Sequence, residues 1–201
     1  MSSVKDYTDK DVYAFLVDRF QPIYADLVAS LAKKPTQIVF QLEAAFVHIA
    51  TANKYPDRYQ VNINKAYSHL QRATLDTAKI LWHFHKRQLE GFVDDESLRK
   101  YCVNCSEPEF LKRYQQTESL ARKARLLEIQ SVGIDPEISV AAYYDAAIKL
   151  RAVLEFVDLD KARSFNRFRT LRRYTDYMIG FVLGVIASIV AAVITDALKF
   201  W

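Results

Sequence analysis

Apolar side chains recur every three or four positions along most of this chain, and they become continuous only near its end. A period of 3.6 residues is typical of helices that bury one face. The first such stretch begins after Thr8 or Asp9, either of which can cap a helix, and it continues to about Ala32. Pro22 lies inside this stretch and predicts a kink or a division into two shorter helices.

Two further helices are predicted before residue 91. One extends from Thr36 to about Asn53, and the turn-forming residues of 54–60 predict a loop after it. The next, from about Asn62 to Glu90, shows the clearest division into two faces. The face that we expect to be buried carries Ile63, Tyr67, Leu70, Thr74, Thr77 and Leu81. The opposite face carries Lys65, His69, Arg72, Asp76 and Lys79.

The helical pattern continues through the second half of the chain. A short helix capped by Asp94 or Asp95 is predicted to end near Cys102, and a longer one is predicted from about Glu107 to Gly133. The sequence Asp-Pro-Glu at 135–137 then restarts a helix, because proline is favoured in a first helical turn.

Neither glycine nor proline occurs between Glu137 and Tyr177, so a helix can continue through this whole region, with a break near 158–160 as the alternative. The predicted fold class is therefore all-α: a cytoplasmic bundle of five or six helices that continues into a single C-terminal transmembrane helix.

The apolar residues are continuous from Tyr177 to Thr195, a stretch of nineteen residues that reads YMIGFVLGVIASIVAAVIT. A helix of this length spans ~28 Å, close to the hydrocarbon thickness of a bilayer. A buried helix of a soluble protein is the alternative, but such helices are usually shorter. The pattern predicts a membrane anchor.

Basic residues precede this stretch without an acidic residue among positions 161–173. They are Lys161, Arg163, Arg167, Arg169, Arg172 and Arg173. Since basic residues are retained on the cytoplasmic side, we expect a single-pass protein with a cytoplasmic N-terminus, and we expect these side chains to contact lipid headgroups. The predicted organisation is a bundle at 1–160, a basic stalk at 161–176, a transmembrane helix at 177–195 and a short far-side tail at 196–201.

Composition agrees with a folded helical protein. Hydrophobic residues make up 51% of the chain, and only four glycines and five prolines occur, which disfavours a turn-rich β architecture. The net charge of +4 is smaller than the charge of the basic stalk alone, so the remainder is near balance and gives little reason to expect a general nucleic-acid surface. The first residues, MSSVKDYTDKD, lack the apolar core of a secretory signal peptide.

Small and polar residues form a stripe along the predicted anchor. At 100° per residue the stripe contains Asp176, Gly180, Gly184, Ser188, Ala191 and Thr195. Small residues at four-residue intervals let two helix backbones approach closely, so the stripe predicts self-association, and lining a pore is the more specific interpretation. Small residues are also simply common in membrane helices. The partners expected are therefore membrane lipids and further copies of the chain.

Two patterns could carry chemistry in the bundle. Cys102 and Cys105 have the spacing of half a zinc site or of a redox pair, but no second half is evident, so two small residues at the edge of the core are the alternative. His69, Arg72 and Asp76 share one side of their helix, which is either a solvated face with an ordinary ion pair or a surface for RNA or a second subunit. We expect no cofactor.

The stretch NKAYSHLQRATLDTAKIL, residues 64–81, resembles the long helix of HEPN-like helical bundles, a class of RNases and inactive relatives. Active members use an Arg and a His a few residues apart. This chain departs from that pattern, since the first His after Arg58 is His69 and the first after Arg72 is His83. The departure predicts that no intact catalytic centre is present.

A HEPN-like bundle joined to a membrane helix also resembles the small membrane proteins encoded beside RNA-targeting type VI CRISPR nucleases, and other membrane effectors of phage defence. The resemblance implies a bacterial protein of the inner membrane. The first functional hypothesis is accordingly an oligomeric membrane effector that forms pores or depolarises the membrane. The alternatives are a membrane-tethered RNase or RNA-binding protein and a passive adaptor for a cytoplasmic partner.

Overall fold

The computed structural model of this chain describes residues 6–130 and 136–198, and it describes side chains in the second range as far as Ala191. Within those residues no strand is formed, and the predicted all-α fold that leads into one long apolar helix is confirmed. The α-helices are α1 (Asp9–Phe15), α2 (Gln21–Leu31), α3 (Thr36–Lys54), α4 (Tyr59–Asp94), α5 (Glu96–Cys102), α6 (Glu107–Gln130), α7 (Glu137–Leu154) and α8 (Leu159–Leu198).

The first helix begins and is interrupted as the sequence predicts. Thr8 caps α1 through a capping box with Asp11, in which the Thr8 hydroxyl accepts from the Asp11 N–H and the Asp11 carboxylate accepts from the Thr8 N–H. A π-helical turn, Leu16–Phe20, separates α1 from α2 immediately before Pro22. Since proline cannot donate an N–H to the preceding turn, a regular α-helix cannot pass this point unaltered.

Helix α4 is the centre of the bundle. It packs against α1, α2, α3, α5 and α7, and all six residues of the face predicted to be buried are buried. Two of those residues, Thr74 and Thr77, carry hydroxyls, which donate to the backbone oxygens of Leu70 and Ala73 at 2.7 and 2.6 Å. These bonds satisfy the hydroxyls inside an apolar environment.

Helix α4 is longer at both ends than the sequence predicts. It begins at Tyr59, inside the expected loop at 54–60, and it continues to Asp94 through Gly91. Phe92 explains the extension, because its buried side chain joins the same core cluster as Leu89. Burial of a large aromatic side chain outweighs the cost of about 1 kcal/mol for a glycine within a helix.

A short pairing of loops sets the start of α8. The Asn104 N–H donates to the Phe156 oxygen and the Asp158 N–H donates to the Cys102 oxygen, both at 2.8 Å. Asp158 then caps α8 by accepting from the Lys161 N–H at 2.9 Å. The alternative of a break before the membrane helix is thereby confirmed, at residues 155–158. The predicted ends at Gly133 and Asp135 lie outside the described residues.

The first turns of α8 belong with the bundle, although the sequence assigns them to the stalk. Ala162 is buried, and Phe165 packs on the same core cluster and stacks on Tyr101 of α5 with ring centroids 5.4 Å apart. Beyond these turns α8 leaves the bundle. Its apolar part is the one membrane-spanning candidate among the described helices, and none of that stretch is buried.

Candidate functional site

The predicted cluster on α4 lies against α3 and forms part of a polar seam between the two helices. His69 Nδ1 is 2.7 Å from Gln41 Oε1, and His48 Nδ1 is 2.9 Å from Asn62 Oδ1. The rings of His48 and His69 are stacked with centroids 5.4 Å apart. Since both amide oxygens are acceptors, each histidine donates through Nδ1. Burial, and then the charges of His48, Arg72 and Lys65, lower the pKa of His69.

The other two members of the predicted cluster are not joined to each other. Asp76 accepts from Gln37 Nε2 at 2.7 Å, while Arg72 is exposed. The possible i, i+4 ion pair between Arg72 and Asp76 is not formed among the described residues. His69, Arg72 and Asp76 do share one side of α4, but two of them are occupied by α3. Binding of RNA or of a second subunit here stays a prediction.

Sequence reasoning missed His48, the second ring of this seam. The signal was present on α3, where Gln37, Gln41 and His48 follow one another along a single flank of the helix. Only their partners on α4 show that this flank faces a neighbouring helix and not solvent.

Two Lys–Glu–Tyr clusters, also missed, join α6 to its neighbours. Lys79 Nζ lies 2.6 Å from Glu128 Oε1, and the Tyr143 hydroxyl donates to Glu128 Oε2 at 3.2 Å. Burial opposes ionisation of Glu128, but Lys79 and Arg125 prevail and hold its pKa below the ordinary value. Burial and the Glu128 charge raise the pKa of Tyr143 to about 12. Lys79, expected on the solvent face, is therefore half-buried in an ion pair.

The second cluster repeats the first one two turns further along α4. Lys86 Nζ lies 2.8 Å from Glu118 Oε1, to which the Tyr114 hydroxyl donates at 3.4 Å. Hydrogen bonding from Lys86 lowers the pKa of Glu118, while burial raises that of Tyr114 to about 12. Both tyrosines are neutral at neutral pH, so these clusters are hydrogen-bonded ion pairs that connect helices and are not poised to accept a proton.

The two cysteines are free thiols beside the loop pairing that precedes α8. Cys102 is fully buried, Cys105 is half-buried, and burial raises the pKa of both thiols. A raised pKa disfavours the thiolate, which is the form that binds metals and attacks disulfides. In the described part of the chain no group of three His, Cys, Asp or Glu side chains is arranged to hold a metal ion.

The basic residues of the stalk are held in different ways. Arg169 pairs with Asp95, the cap of α5, and lies over the Phe165 ring at 5.8 Å from its centroid. Arg163 reaches Asp160 at 3.4 Å, with both side chains exposed. The remaining members of the predicted set are exposed and have no ion pair among the described residues: Lys161, Arg167, Arg172 and Arg173.

The small-residue stripe on α8 is open. A Cβ placed on Gly180 or Gly184 would meet nothing within 4 Å, and Ser188 donates its hydroxyl to the Gly184 oxygen at 2.9 Å. Asp176 and Ala191 are exposed on the same helix. The side chain of Thr195 lies outside the described residues. The stripe therefore has space for close approach by another helix, and the protomer itself does not fill that space.

Comparisons of the chain with protein-family models, with curated proteins and with solved structures find no match in any of the three. The resemblance to HEPN-like bundles and to membrane effectors of phage defence consequently stays a prediction. What the fold itself establishes is an all-α bundle joined to one exposed helix that is long and apolar enough to cross a membrane.

Proposed function

We propose that this protein is a membrane effector, in which α8 crosses the bilayer and several copies assemble through it. The observation that carries the proposal is the apolar stretch of α8, which is long enough to span a membrane and is exposed at every residue whose side chain the structure describes. Exposed apolar area of this extent requires a cover, and for a helix that is apolar on all sides that cover is lipid.

The connection between bundle and anchor supports an active role over a passive tether. Helix α8 continues without a break from the core contact of Ala162, through the Arg169–Asp95 pair, into the apolar stretch. No flexible linker therefore separates the contacts of α8 with α5 from the stretch of α8 that we propose to lie in the membrane. Such a coupling suits a protein whose bundle receives a signal and whose anchors respond.

Self-association follows from the open stripe. In lipid no hydrophobic force drives helices together, so association depends on close backbone contact, which Gly180 and Gly184 permit. The basic residues before the span favour a cytoplasmic bundle. The resemblance described above would place an assembly of this kind, acting on membrane permeability, in a bacterial defence or stress response.

The test enlarges the stripe and compares it with the lipid-facing side of the same helix. A Cβ added at Gly184 meets nothing within 4 Å in its own protomer, and Val182→Leu and Ile186→Leu control for a leucine added elsewhere on the same helix, so a loss specific to Gly184→Leu points to contact between copies. We expect Gly180→Leu and Gly184→Leu to weaken self-association on the order of tenfold. The matched controls Val182→Leu and Ile186→Leu should leave it unchanged.

Oligomeric state in detergent and dye flux from vesicles should be measured for each variant. Loss of oligomer and loss of flux are expected together. An intact oligomer in the Gly180→Leu/Gly184→Leu protein would assign assembly to the bundle. An intact oligomer without flux in the unaltered protein would contradict a pore and favour the alternative function of a passive adaptor. The exposed apolar residues Phe40, Phe46 and Val47 of α3 would then be the first partner surface to test.

A further inference from the structure

A cleft of about 650 Å³ opens where α8 leaves the bundle. Asp95, at the start of α5, forms one wall, and successive turns of α8 form the other with Asn166, Arg169, Arg173 and Tyr177. Its size falls within the range of pockets that hold small ligands. The stalk therefore carries a shaped site in addition to a row of exposed charges.

The cleft is the continuation of the face by which α8 packs on the bundle. Phe165 and Arg169 contact α5, and Arg173 and Tyr177 follow on the same face at intervals of four residues, beyond the last of those contacts. The polar groups of this face are thus aligned by the helix that the bundle holds, although α5 no longer covers them.

Of the two arginines that line the cleft, Arg169 is paired with a carboxylate and Arg173 is not. Asp95 is fully engaged, because it accepts from the Ser97 and Leu98 N–H groups at 2.9 and 3.1 Å and from Arg169. The Arg169 hydrogen bond, followed by that from Leu98, lowers the pKa of Asp95. Arg173 is exposed and has no ion pair with any carboxylate in the described part of the chain.

Hydroxyl donors stand beside this cation. Tyr174 and Tyr177 line the same cleft, and their side chains are 68% and 72% exposed, so both hydroxyls are available to a ligand. A guanidinium with neighbouring O–H donors is the chemistry that binds phosphate oxygens. Asn166 adds an amide at the other end of the cleft.

The position of the cleft along α8 indicates where such a phosphate comes from. Tyr177 begins the apolar stretch, and Arg173 lies four residues before it, which is ~6 Å along a helix. The headgroup layer on each side of a bilayer is roughly 5–8 Å thick. Arg173, Tyr174 and Tyr177 therefore lie at the depth of lipid phosphates when α8 crosses a membrane.

We infer that the cleft between α5 and α8 binds the phosphate of an anionic phospholipid headgroup, with Arg173 as the principal donor and the hydroxyls of Tyr174 and Tyr177 as further donors. This inference rests on one part of the proposed function, that α8 crosses the membrane. It does not depend on self-association or on pore formation. The headgroup lies against the α8 wall of the cleft, where these donors are.

The test uses the full chain in phosphatidylcholine vesicles that contain a small fraction of spin-labelled phosphatidylglycerol or, for comparison, spin-labelled phosphatidylcholine. The motionally restricted fraction of each label gives the relative association constants. We expect the unaltered protein to select the anionic label and Arg173→Gln to lower its association about fivefold. Arg173 packs on nothing in the core, so circular dichroism should show the fold intact.

Arg172→Gln is the matched control, because it removes the same charge at nearly the same depth from a residue that does not line the cleft. It should retain most of the selectivity. Equal losses in Arg172→Gln and Arg173→Gln would overturn the site and reduce the effect to general attraction between the basic stalk and anionic lipid.

Two further experiments are needed. One distinguishes a lipid phosphate from a free phosphate, and the other distinguishes failure of the headgroup site from failure of the proposed membrane-spanning helix. Millimolar glycerol phosphate should not displace the labelled lipid; displacement that depends on Arg173 would keep the phosphate chemistry and overturn the lipid as its source. Extraction of the protein from vesicles at alkaline pH would contradict a membrane-spanning α8 itself. An inserted protein without Arg173-dependent selectivity would contradict only the headgroup site.

Discussion

Helix α4 and the apolar part of α8 differ in what surrounds them, although both belong to long helices, of 36 and 40 residues. Apolar residues on α4 form one stripe, and five other helices cover it. On α8 apolar residues surround most of the helix from Tyr177 to Ala191, apart from the stripe with Gly180, Gly184 and Ser188, and none of these described residues is buried. The angular distribution of apolar residues, more than their number, therefore distinguishes a helix that packs in the protein core from one that is long and apolar enough to cross a membrane.

The polar groups of the two helices differ in the same way. The back of α4 is connected to its neighbours, through His69 to α3 and through Lys79 to α6. On α8 a Cβ added at Gly180 or Gly184 would meet nothing within 4 Å in the protomer. His69 and Lys79 of α4 therefore have partners within the protomer, whereas the two glycines of α8 leave open space beside the helix.

The largest effect expected from this contrast comes from shortening an apolar side chain in each helix. Leu81→Ala in α4 should lower the free energy of unfolding by about 2–5 kcal/mol, since Leu81 is fully buried and its loss leaves a cavity. Ile186→Ala in α8 should leave the stability of the bundle unchanged. Urea unfolding in detergent, followed by Trp82 fluorescence in a Trp201→Phe background, measures both.

Equal destabilisation by the two variants would mean that the apolar part of α8 folds back on the bundle. The contrast between the two helices, and the membrane-spanning role of α8 with it, would then be wrong.

The next effect concerns the polar back of α4. Glu128→Gln should cost about 1–2 kcal/mol, because it leaves the half-buried Lys79 without its counter-charge. The folded-state pKa of Glu128 is lowered, so its contribution is present above the ordinary value of about 4.5 and is lost as the pH falls through the lowered pKa. The free energy of unfolding of Glu128→Gln should therefore fall less between neutral and acidic pH than that of the unaltered protein.

Asp145→Asn is the matched control for Glu128→Gln. It breaks the pair between Lys149 and Asp145 on α7, in which both side chains are about half exposed. An exposed pair contributes about 0.5 kcal/mol or less, so the unfolding midpoint in urea should barely change. A comparable loss in both variants would show that the α4–α6 pair has no special role.

A smaller effect is expected from His85 in the buried face of α4, where neither ring nitrogen has a hydrogen-bond partner among the described residues. Burial lowers its pKa, with Gln88 opposing part of that effect. His85 gains a proton below about pH 6.5 in the unfolded chain but resists protonation in the folded chain. Its contribution to the free energy of unfolding is therefore complete above that pH and is lost as the pH falls towards the lowered pKa. His85→Leu should recover ~1 kcal/mol at pH 5.5 and less at pH 7.5.

Unfolding of His85→Leu at the two pH values should be compared with that of His83→Gln, which alters an exposed histidine two positions earlier. The pH dependence should decrease more in the His85 variant. An unchanged pH dependence in His85→Leu would assign the effect to other groups, among them His69, whose pKa is also lowered by burial.

The smallest effect is expected at Ala32, which ends α2 with a φ of 53°. This left-handed conformation is strained for any residue with a Cβ, so Ala32→Gly should raise the free energy of unfolding by about 0.5 kcal/mol. Ala50→Gly, at an exposed position inside α3, should lower it by about 1 kcal/mol. Thermal unfolding of both variants checks the opposite signs, and a loss of stability in Ala32→Gly would contradict the strain.

The sequence predicted the features that depend on one helix at a time. The buried face of α4 follows from its 3.6-residue period. A cap at Thr8 or Asp9 was also predicted, and the structure shows Thr8 as the cap, in a capping box with Asp11. The apolar stretch from Tyr177 follows from composition alone. The candidate residues His69, Arg72 and Asp76 were placed correctly on one side of α4, because that too is a property of a single helix.

Pairings between distant segments were decided only by the tertiary structure. Sequence spacing gives no distance between His48 and His69, between Lys79 and Glu128, or between Arg169 and Asp95, since each pair joins two different helices. The same holds for the loop pairing of Asn104 with Phe156, which sets where α8 leaves the bundle. Local patterns determine which face of a helix is apolar, whereas the packing of helices determines which polar groups meet, and therefore where the cleft beside Arg173 is formed.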